Sequence, residues 1–378
     1  MPVIVRRENQ FPNSCLFVVN CEILPVKKIC INGKFFGQQI TGTQRYAREL
    51  LSQFDNLLST GDYREISIEV LVPKRVQLMP QYKNLRLRTV GRMSGTMWEQ
   101  MELPQYCRGQ LLFTLSGGAP VLHSPNVVTI HDAAVIAAPS GYSLAYRLWH
   151  GNVCRRMVRS AEHIFTNSNF SKSEIVKWYG AAADKISVTY LGSDHFPRLE
   201  ADPSALQKFG ISGKYILVVG VDNPNKNFDR VAQALYKRNP IAIPLVIAGG
   251  RDSRVYRKSA RLPEGVRALG HVSDHELKAL YENASCFVFA SLYEGFGLPP
   301  LEAMSCGCPV VVSHAASLPE VFDGAAIFCD PYDPGDIAAA IRRAVESPPG
   351  AADELKAFAQ NFSWEKCARE TLKVLKGL

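Results

Sequence analysis

Two carboxylates eight positions apart, Glu294 and Glu302, flank a glycine-bearing loop in the stretch Ala290-Ser291-Leu292-Tyr293-Glu294-Gly295-Phe296-Gly297-Leu298-Pro299-Pro300-Leu301-Glu302-Ala303-Met304. The apolar run Cys286–Ala290 before it reads as a buried parallel strand. Prolines open the helical pattern after it at no cost, because the first N–H groups of a helix have no partner. Such a loop is an anion site: orphan N–H groups point outward and the helix dipole adds roughly half a positive charge. A carboxylate on either side does nothing for phosphate. The pair suits a ligand with phosphate in its middle and hydroxyls at both ends, which describes a nucleotide sugar. One glutamate alone would be an ordinary capped βα turn; the whole string asks for more.

Two other constellations could do chemistry. His131-Asp132 ends the apolar strand Val127–Ile130, at the carboxyl edge where open α/β sheets place ligands; a histidine satisfied by its own neighbour is the plainer alternative. The glycine-spaced segment Gly33–Gly42 follows a strand at Lys28–Asn32 and opens a helix at Thr43-Gln44-Arg45-Tyr46, with Thr41 or Thr43 as its cap. Neither G-x-G-x-x-G nor G-x-x-x-x-G-K occurs, which disfavours a dinucleotide oxidoreductase and a P-loop NTPase.

These residues need strands and helices to position them. Strands are expected at Ile66–Val72, Leu85–Leu87, His163–Thr166 and Ile186–Tyr190, with a helix around Trp98–Pro104 and a basic amphipathic helix at Tyr142–Arg159. Residues Pro197 to Gly213 show no strong periodicity. The alternation then restarts with strands at Tyr215–Val219, Leu245–Ala248, Val266–Leu269 and Pro309–Ser313. Helices are expected at Asn227–Lys237, His275–Asn283 and Pro334–Glu346. Two successive βα runs predict an α/β protein with two doubly wound, Rossmann-like domains facing a cleft. The expected boundaries are an N-terminal extension (1–27), a first domain (28–196), a linker (197–213), a second domain (214–352) and terminal helices (353–378).

Composition narrows the function class. A chain of 378 residues suits two domains, and 47% hydrophobic content is that of a globular protein. No run approaches the roughly 18 apolar residues of a membrane span. Arg6 and Arg7 before Cys15–Val19 faintly echo a signal peptide, but Asn20 and Glu22 cut the run short. The cysteines are scattered without a C-x-x-C, and Cys306 and Cys308 sit in an apolar stretch. Reduced thiols and a cytoplasmic location are expected. The whole net charge of +8 lies in residues 1–195, with 22 basic and 14 acidic side chains, whereas residues 196–378 balance at 21 each. A basic half suits an anionic membrane surface or an anionic acceptor, and a merely solvated surface is an equal reading. No aromatic-interleaved basic motif points to nucleic acid.

The stretch Glu294–Val311 resembles the signature of the family-four retaining glycosyltransferases of GT-B fold, with two glutamates separated by seven residues. The resemblance runs over most of the chain from Lys28 onward. It implies that Glu294 contacts the donor sugar, that Glu302 binds the ribose hydroxyls, and that the amides of Phe296, Gly297 and Leu298 meet the sugar and diphosphate. Val219–Asn227 is similar to the family's phosphate-contacting turn, with Gly220 at its start and Lys226 as its lysine. Val221 stands where many members carry an arginine, which makes Arg251 and Arg45 candidates for that cation. Gly270–Asp274 resembles the base-binding edge, with the main chain at Val272 and the carboxylate of Asp274 facing the nucleobase. The loop ending at Gly42 resembles the one that closes over the diphosphate, and His131, beside Asp132, matches a cleft histidine.

The resemblance implies transfer of a sugar from a GDP- or UDP-linked donor to an acceptor hydroxyl with retention. Glu294, Lys226 and His131 are the catalytic candidates, with no metal and no cofactor beyond the nucleotide-sugar substrate. The similarity to bacterial polysaccharide mannosyltransferases favours mannose. It favours a glycan or lipid-linked oligosaccharide acceptor, peripheral contact with the inner face of an anionic membrane, and a place in polysaccharide or lipopolysaccharide assembly. A GT-B-shaped nucleotide-sugar epimerase and a non-catalytic nucleotide-sugar-binding protein are the alternatives. The terminal helix is expected to cross back to the first domain, as in relatives.

Overall fold

A computed structural model of the chain describes residues 26–378 apart from 75, 77, 78, 222, 237–240, 250–265 and 349. It contains two wholly parallel sheets. The first has seven strands, β1 (Lys27–Asn32), β2 (Ile66–Pro73), β3 (Arg86–Val90), β4 (Leu111–Thr114), β5 (Asn126–Thr129), β6 (His163–Thr166) and β7 (Ile186–Val188), in the order β3-β2-β1-β4-β5-β6-β7. The second has six, β8 (Ile216–Val219), β9 (Leu245–Ala248), β10 (Val266–Gly270), β11 (Cys286–Phe289), β12 (Val310–Ser313) and β13 (Ile327–Cys329), in the order β10-β9-β8-β11-β12-β13.

Both sheets are doubly wound, as the alternation predicts. The chain steps outward from β1 to β3 and returns to β4 on the far side of β1; β8 to β10 and β11 repeat the pattern. Strand order therefore reverses between β1 and β4 and between β8 and β11, where the diverging connections leave a crevice beyond the carboxyl ends. Strands β4, β5, β9, β11 and β12 are buried along their whole length, as parallel strands covered on both faces must be.

Two strands, β4 and β13, were not expected from sequence. Each is a short apolar run, Leu111–Thr114 and Ile327–Cys329. Before β4 the expected helix is interrupted: Trp98–Glu102 is a π-helical turn followed by a short helix at Leu103–Tyr106. Without a regular helical pattern in front of it, β4 lacks the rhythm that marks its neighbours, although it forms one side of the first crevice.

The last helix, Trp364–Gly377, packs on the helix Gly42–Leu58 of the first domain, and Leu50, Phe54, Leu372 and Leu375 share one core. Its start is locked to the loop after β7. A Cβ on Gly192 would fall 2.2 Å from the Trp364 nitrogen, so only glycine allows this approach. The Trp364 N–H donates to Asp194 Oδ1 at 2.8 Å. Among the described residues no helix is long and apolar enough to cross a membrane, and the described cysteines are all unpaired.

Candidate active site

The connections leaving β8 and β11 meet at the second crevice. After β8, Gly220 takes φ 155°, and a Cβ there would lie 3.3 Å from Lys226 Cε; its absence makes room for the lysine. Lys226 ends the 3₁₀ turn Pro224–Lys226, and Asn227 follows in the left-handed region at φ 60°. Asn227 Nδ2 donates to the carbonyls of Ala290 at 2.9 Å and Pro331 at 2.7 Å, fastening the turn to the end of β11. Lys226 Nζ thereby sits 2.7 Å from Glu294 Oε1 and 4.7 Å from the Phe289 ring centroid. Both charged groups remain partly exposed, at 20% and 17%.

The loop after β11 is tied back by its carbonyls. Ser317 Oγ donates to the Glu294 carbonyl at 2.9 Å. The Gly295 carbonyl accepts from Ser168 Oγ at 2.7 Å and Ser171 Oγ at 3.1 Å, both from the first domain. A Cβ on Gly295 would lie 2.6 Å from the His131 carbonyl, so the two domains meet backbone to backbone at this glycine. Phe296 is buried beside it. Gly297, at φ 99°, is the N-cap of the helix Leu298–Ser305, whose first turn carries prolines. Pro299 and Pro300 have no N–H, so the donors at this positive helix end come down to Leu298 and the loop before it.

Glu302 projects from that helix and is only 6% exposed. Its Oε1 lies 3.3 Å from His195 Nε2, and its Oε2 accepts from the Tyr281 hydroxyl at 3.5 Å. Burial holds the Tyr281 phenol well above its usual pKa, so it remains a donor. A carboxylate has about four lone-pair sites, and two long contacts leave capacity for hydroxyl donors.

Across the cleft, His131 Nε2 lies 3.3 Å from the Leu115 carbonyl. A carbonyl only accepts, so Nε2 carries the proton and Nδ1 is an acceptor. The ring stands edge-on to Tyr46 at 4.8 Å. Burial lowers the His131 pKa to about 4, against the effect of the Leu115 carbonyl, so the imidazole is neutral near pH 7. Asp132 Oδ1 accepts from the Ala134 N–H at 2.8 Å. Burial pushes its pKa up to about 6 against that hydrogen bond, with Glu294 adding to the rise and Lys226 opposing it.

At the far side of the cleft, Asp274 opens the helix Asp274–Asn283, and Val272 is half-buried just before it. The Asp274 carboxylate is paired with Arg45 of the first domain, Nη2 to Oδ1 at 2.5 Å. Gly42, the first residue of its helix, ends an exposed segment spanning 37–42, and a Cβ there would meet nothing within 4 Å. The structure therefore gathers Lys226, Glu294, Gly295, His131 and Asp132 at one place. Glu302 stands on the helix that begins at the same loop, and Arg45 meets Asp274. Arg251 lies outside the described residues. Sequence reasoning did not single out Ser168, His195 or Ser317, because single Ser and His residues outside a motif carry no signal until their partners are known. Among the described residues no group of three or more His, Cys, Asp or Glu side chains is arranged to hold a metal ion.

Residues 108–195 match the family model described as Glycosyltransferase Family 4, and residues 205–362 match the one described as Glycosyl transferases group 1. The O-antigen chain mannosyltransferase B of Escherichia coli is 36% identical over 281 residues, covering 68% of this chain and 74% of that protein. The O-antigen chain mannosyltransferase RfbU of Salmonella typhimurium is 27% identical, covering 75% and 78%. Among solved structures, a sucrose-phosphate synthase from Thermosynechococcus elongatus superposes with a TM-score of 0.71 at 17% identity, covering 93% of this chain and 98% of that one. One model spans His131 and Ser168 and the other spans Lys226, Glu294 and Glu302, so the two strand-end loops that build the cleft fall inside the matched segments. With that placement and the identity to the Escherichia coli protein, the chain belongs to the group 1, family 4 glycosyltransferases of GT-B fold.

Proposed function

We propose that this glycosyltransferase moves mannose from a nucleotide-linked donor, GDP-mannose before a UDP-sugar, to a glycan or lipid-linked oligosaccharide hydroxyl in polysaccharide assembly, with retention and without a metal. The observation that carries the reading is the Lys226–Glu294 contact of 2.7 Å at the start of a helix. It sets a cation where the leaving diphosphate gathers negative charge, next to a carboxylate that can accept from sugar hydroxyls. The mannosyl and polysaccharide assignments rest on the names of the relatives.

In this reading the bond from the anomeric carbon to the β-phosphate oxygen breaks on the same face from which the acceptor oxygen attacks. The acceptor proton passes to the departing phosphate oxygen. Lys226 and the loop amides at Phe296, Gly297 and Leu298 stabilise that oxygen. Glu294 orients the sugar. Neutral His131, with Nδ1 as an acceptor, positions a hydroxyl and removes no proton of its own. Glu302 receives the ribose hydroxyls, and Asp274 and the Val272 main chain face the base. Gly42 and the exposed segment before it close over the diphosphate.

The acceptor side has a surface suited to an anionic membrane. Leu144 and Leu148, 62% and 61% exposed, lie one turn apart on the helix Leu144–Ser160, whose later turns expose Arg155, Arg156 and Arg159. An apolar start and a basic end on one exposed helix suit contact with acyl chains and anionic headgroups.

The test is incubation of the purified protein with GDP-mannose or UDP-sugars and a mannose-terminated oligosaccharide acceptor, with and without EDTA. The expected result is an α-linked product from GDP-mannose at undiminished rate in EDTA. An inverted product, or loss of activity in EDTA restored by a divalent cation, would overturn the corresponding part of the reading.

A further inference from the structure

We propose that Trp364 and His195 are positioning residues for Glu302, so that the last helix, packed on the first domain, sets how the second domain grips the donor. The proposal rests on the reading of Glu302 as the ribose carboxylate. Trp364 Nε1 donates to His195 Nδ1 at 3.0 Å in a buried setting. An indole N–H can only donate, so Nδ1 must be the acceptor and the imidazole proton sits on Nε2. That nitrogen is buried, lies 3.3 Å from Glu302 Oε1, and makes no hydrogen bond of good geometry. A buried N–H left without a partner is costly, so imidazole and carboxylate are drawn together. Oε1 is held towards His195, which leaves Oε2, beside the Tyr281 hydroxyl, to meet the ribose.

The three residues come from three separate parts of the chain: the loop after β7, the helix Leu298–Ser305 and the terminal helix. Their order is enforced by backbone. Gly192 allows the Trp364 nitrogen to approach, Asp194 accepts its N–H, and His195 is next in sequence. The indole also lies 6.2 Å from Tyr46, the ring that packs edge-on against His131. If Trp364 only filled space, its ring would matter and its N–H would not.

The experiment is calorimetric binding of guanosine and uridine diphosphates and of their 2′,3′-dideoxy forms to wild type, Trp364→Phe, His195→Leu and His195→Gln, with thermal unfolding of each. Wild type is expected to bind one ribonucleotide at least about tenfold more tightly than its dideoxy form, the scale of hydrogen bonds to a charged group. In Trp364→Phe and His195→Leu that preference falls about fivefold or more while dideoxy binding is unchanged. His195→Gln, whose amide can still donate to Glu302, restores part of it. Full wild-type preference in folded Trp364→Phe and His195→Leu overturns the proposal. Absence of any preference in wild type instead overturns the ribose reading, and the relay falls with it. A separate measurement needs no variant: nitrogen-15 correlation spectra of wild type should show His195 protonated at Nε2, and protonation at Nδ1 alone overturns the relay.

Discussion

Arg45 and Asp274, separated by more than half the chain, form an ion pair across the cleft, with Nη2 and Oδ1 2.5 Å apart and side chains 16% and 33% exposed. The sequence suggested separate jobs for them, a diphosphate cation and a base-reading carboxylate. In the structure each is the other's partner. Their coupling in a double-mutant cycle on unfolding is expected at about 1 kcal/mol, the upper range for a partly exposed pair. If Asp274 faces the base as proposed, adding the nucleoside diphosphate should lower it. Coupling that nucleotide leaves unchanged would count against that role for Asp274.

Lys226→Met and Glu294→Gln each remove half of the 2.7 Å contact. Transfer should fall by about 10²–10³-fold in Lys226→Met, the range seen when one preorganised electrostatic group is lost from a site. Unfolding midpoints should move little, since both groups are partly solvated. Steady-state rates alongside thermal melts check this, and near wild-type turnover in both variants would refute the site.

Two neighbouring glycines should fail differently when changed to alanine. At Gly297 the added methyl meets Leu318 Cδ2 at 2.7 Å and Phe322 at 2.8 Å, in backbone with φ 99°. A stability loss of about 1–3 kcal/mol is expected in denaturant titrations. At Gly295 the methyl meets the His131 carbonyl of the other domain at 2.6 Å. That clash is relieved by parting the domains, so Gly295→Ala should lose transfer activity more than stability.

The His131-Asp132 pair gives two opposite pH dependences. The folded-state pKa of His131 is lowered to about 4 from 6.5, so the unfolded chain binds more protons between those values and stability drains away as pH falls from 6.5 to 4. The folded-state pKa of Asp132 is raised to about 6 from 3.8. Its relative contribution is fully present below 3.8 and is lost as pH rises through 6. His131→Gln should therefore lose less stability than wild type on acidification, and Asp132→Asn should lose more. Melting curves at intervals from pH 4 to 7 read both.

Membrane contact is checked by sedimentation with vesicles. Binding to phosphatidylglycerol vesicles and not to phosphatidylcholine is expected, falling with salt. The variant Leu148→Ser, Arg155→Glu, Arg156→Glu should stay in the supernatant yet glycosylate a soluble acceptor at the wild-type rate.

Much of this molecule was readable in its residues. The run of buried strands and the double glutamate gave the architecture and the Glu294 loop, because parallel strands are continuous apolar segments and a Gly-Pro helix start is a local pattern. Short strands were not readable: β4 has four residues and follows a π-helical turn, so no periodicity announces it. Nor were the pairings between distant segments. Arg45 with Asp274 and Ser168 with Gly295 are set by how two finished sheets meet, Trp364 with His195 by how the last helix docks on the first domain, and neither member of each pair carries a mark of the other. A tryptophan such as Trp364 reads from its size as a packing residue; its N–H, the part that reaches His195, has no sequence signature.

The crossing of the last helix also bears on how the protein is made. Strands β1 to β7 leave the ribosome first, but the surface of the helix Gly42–Leu58 that carries Leu50 and Phe54 is covered by residues 364–377. The first domain to be synthesised is thus the last to be completed. Until residues 364–377 emerge, that apolar face has no cover. A protein stopped after residue 352 would retain every strand of both sheets and still lack the covering of its first domain.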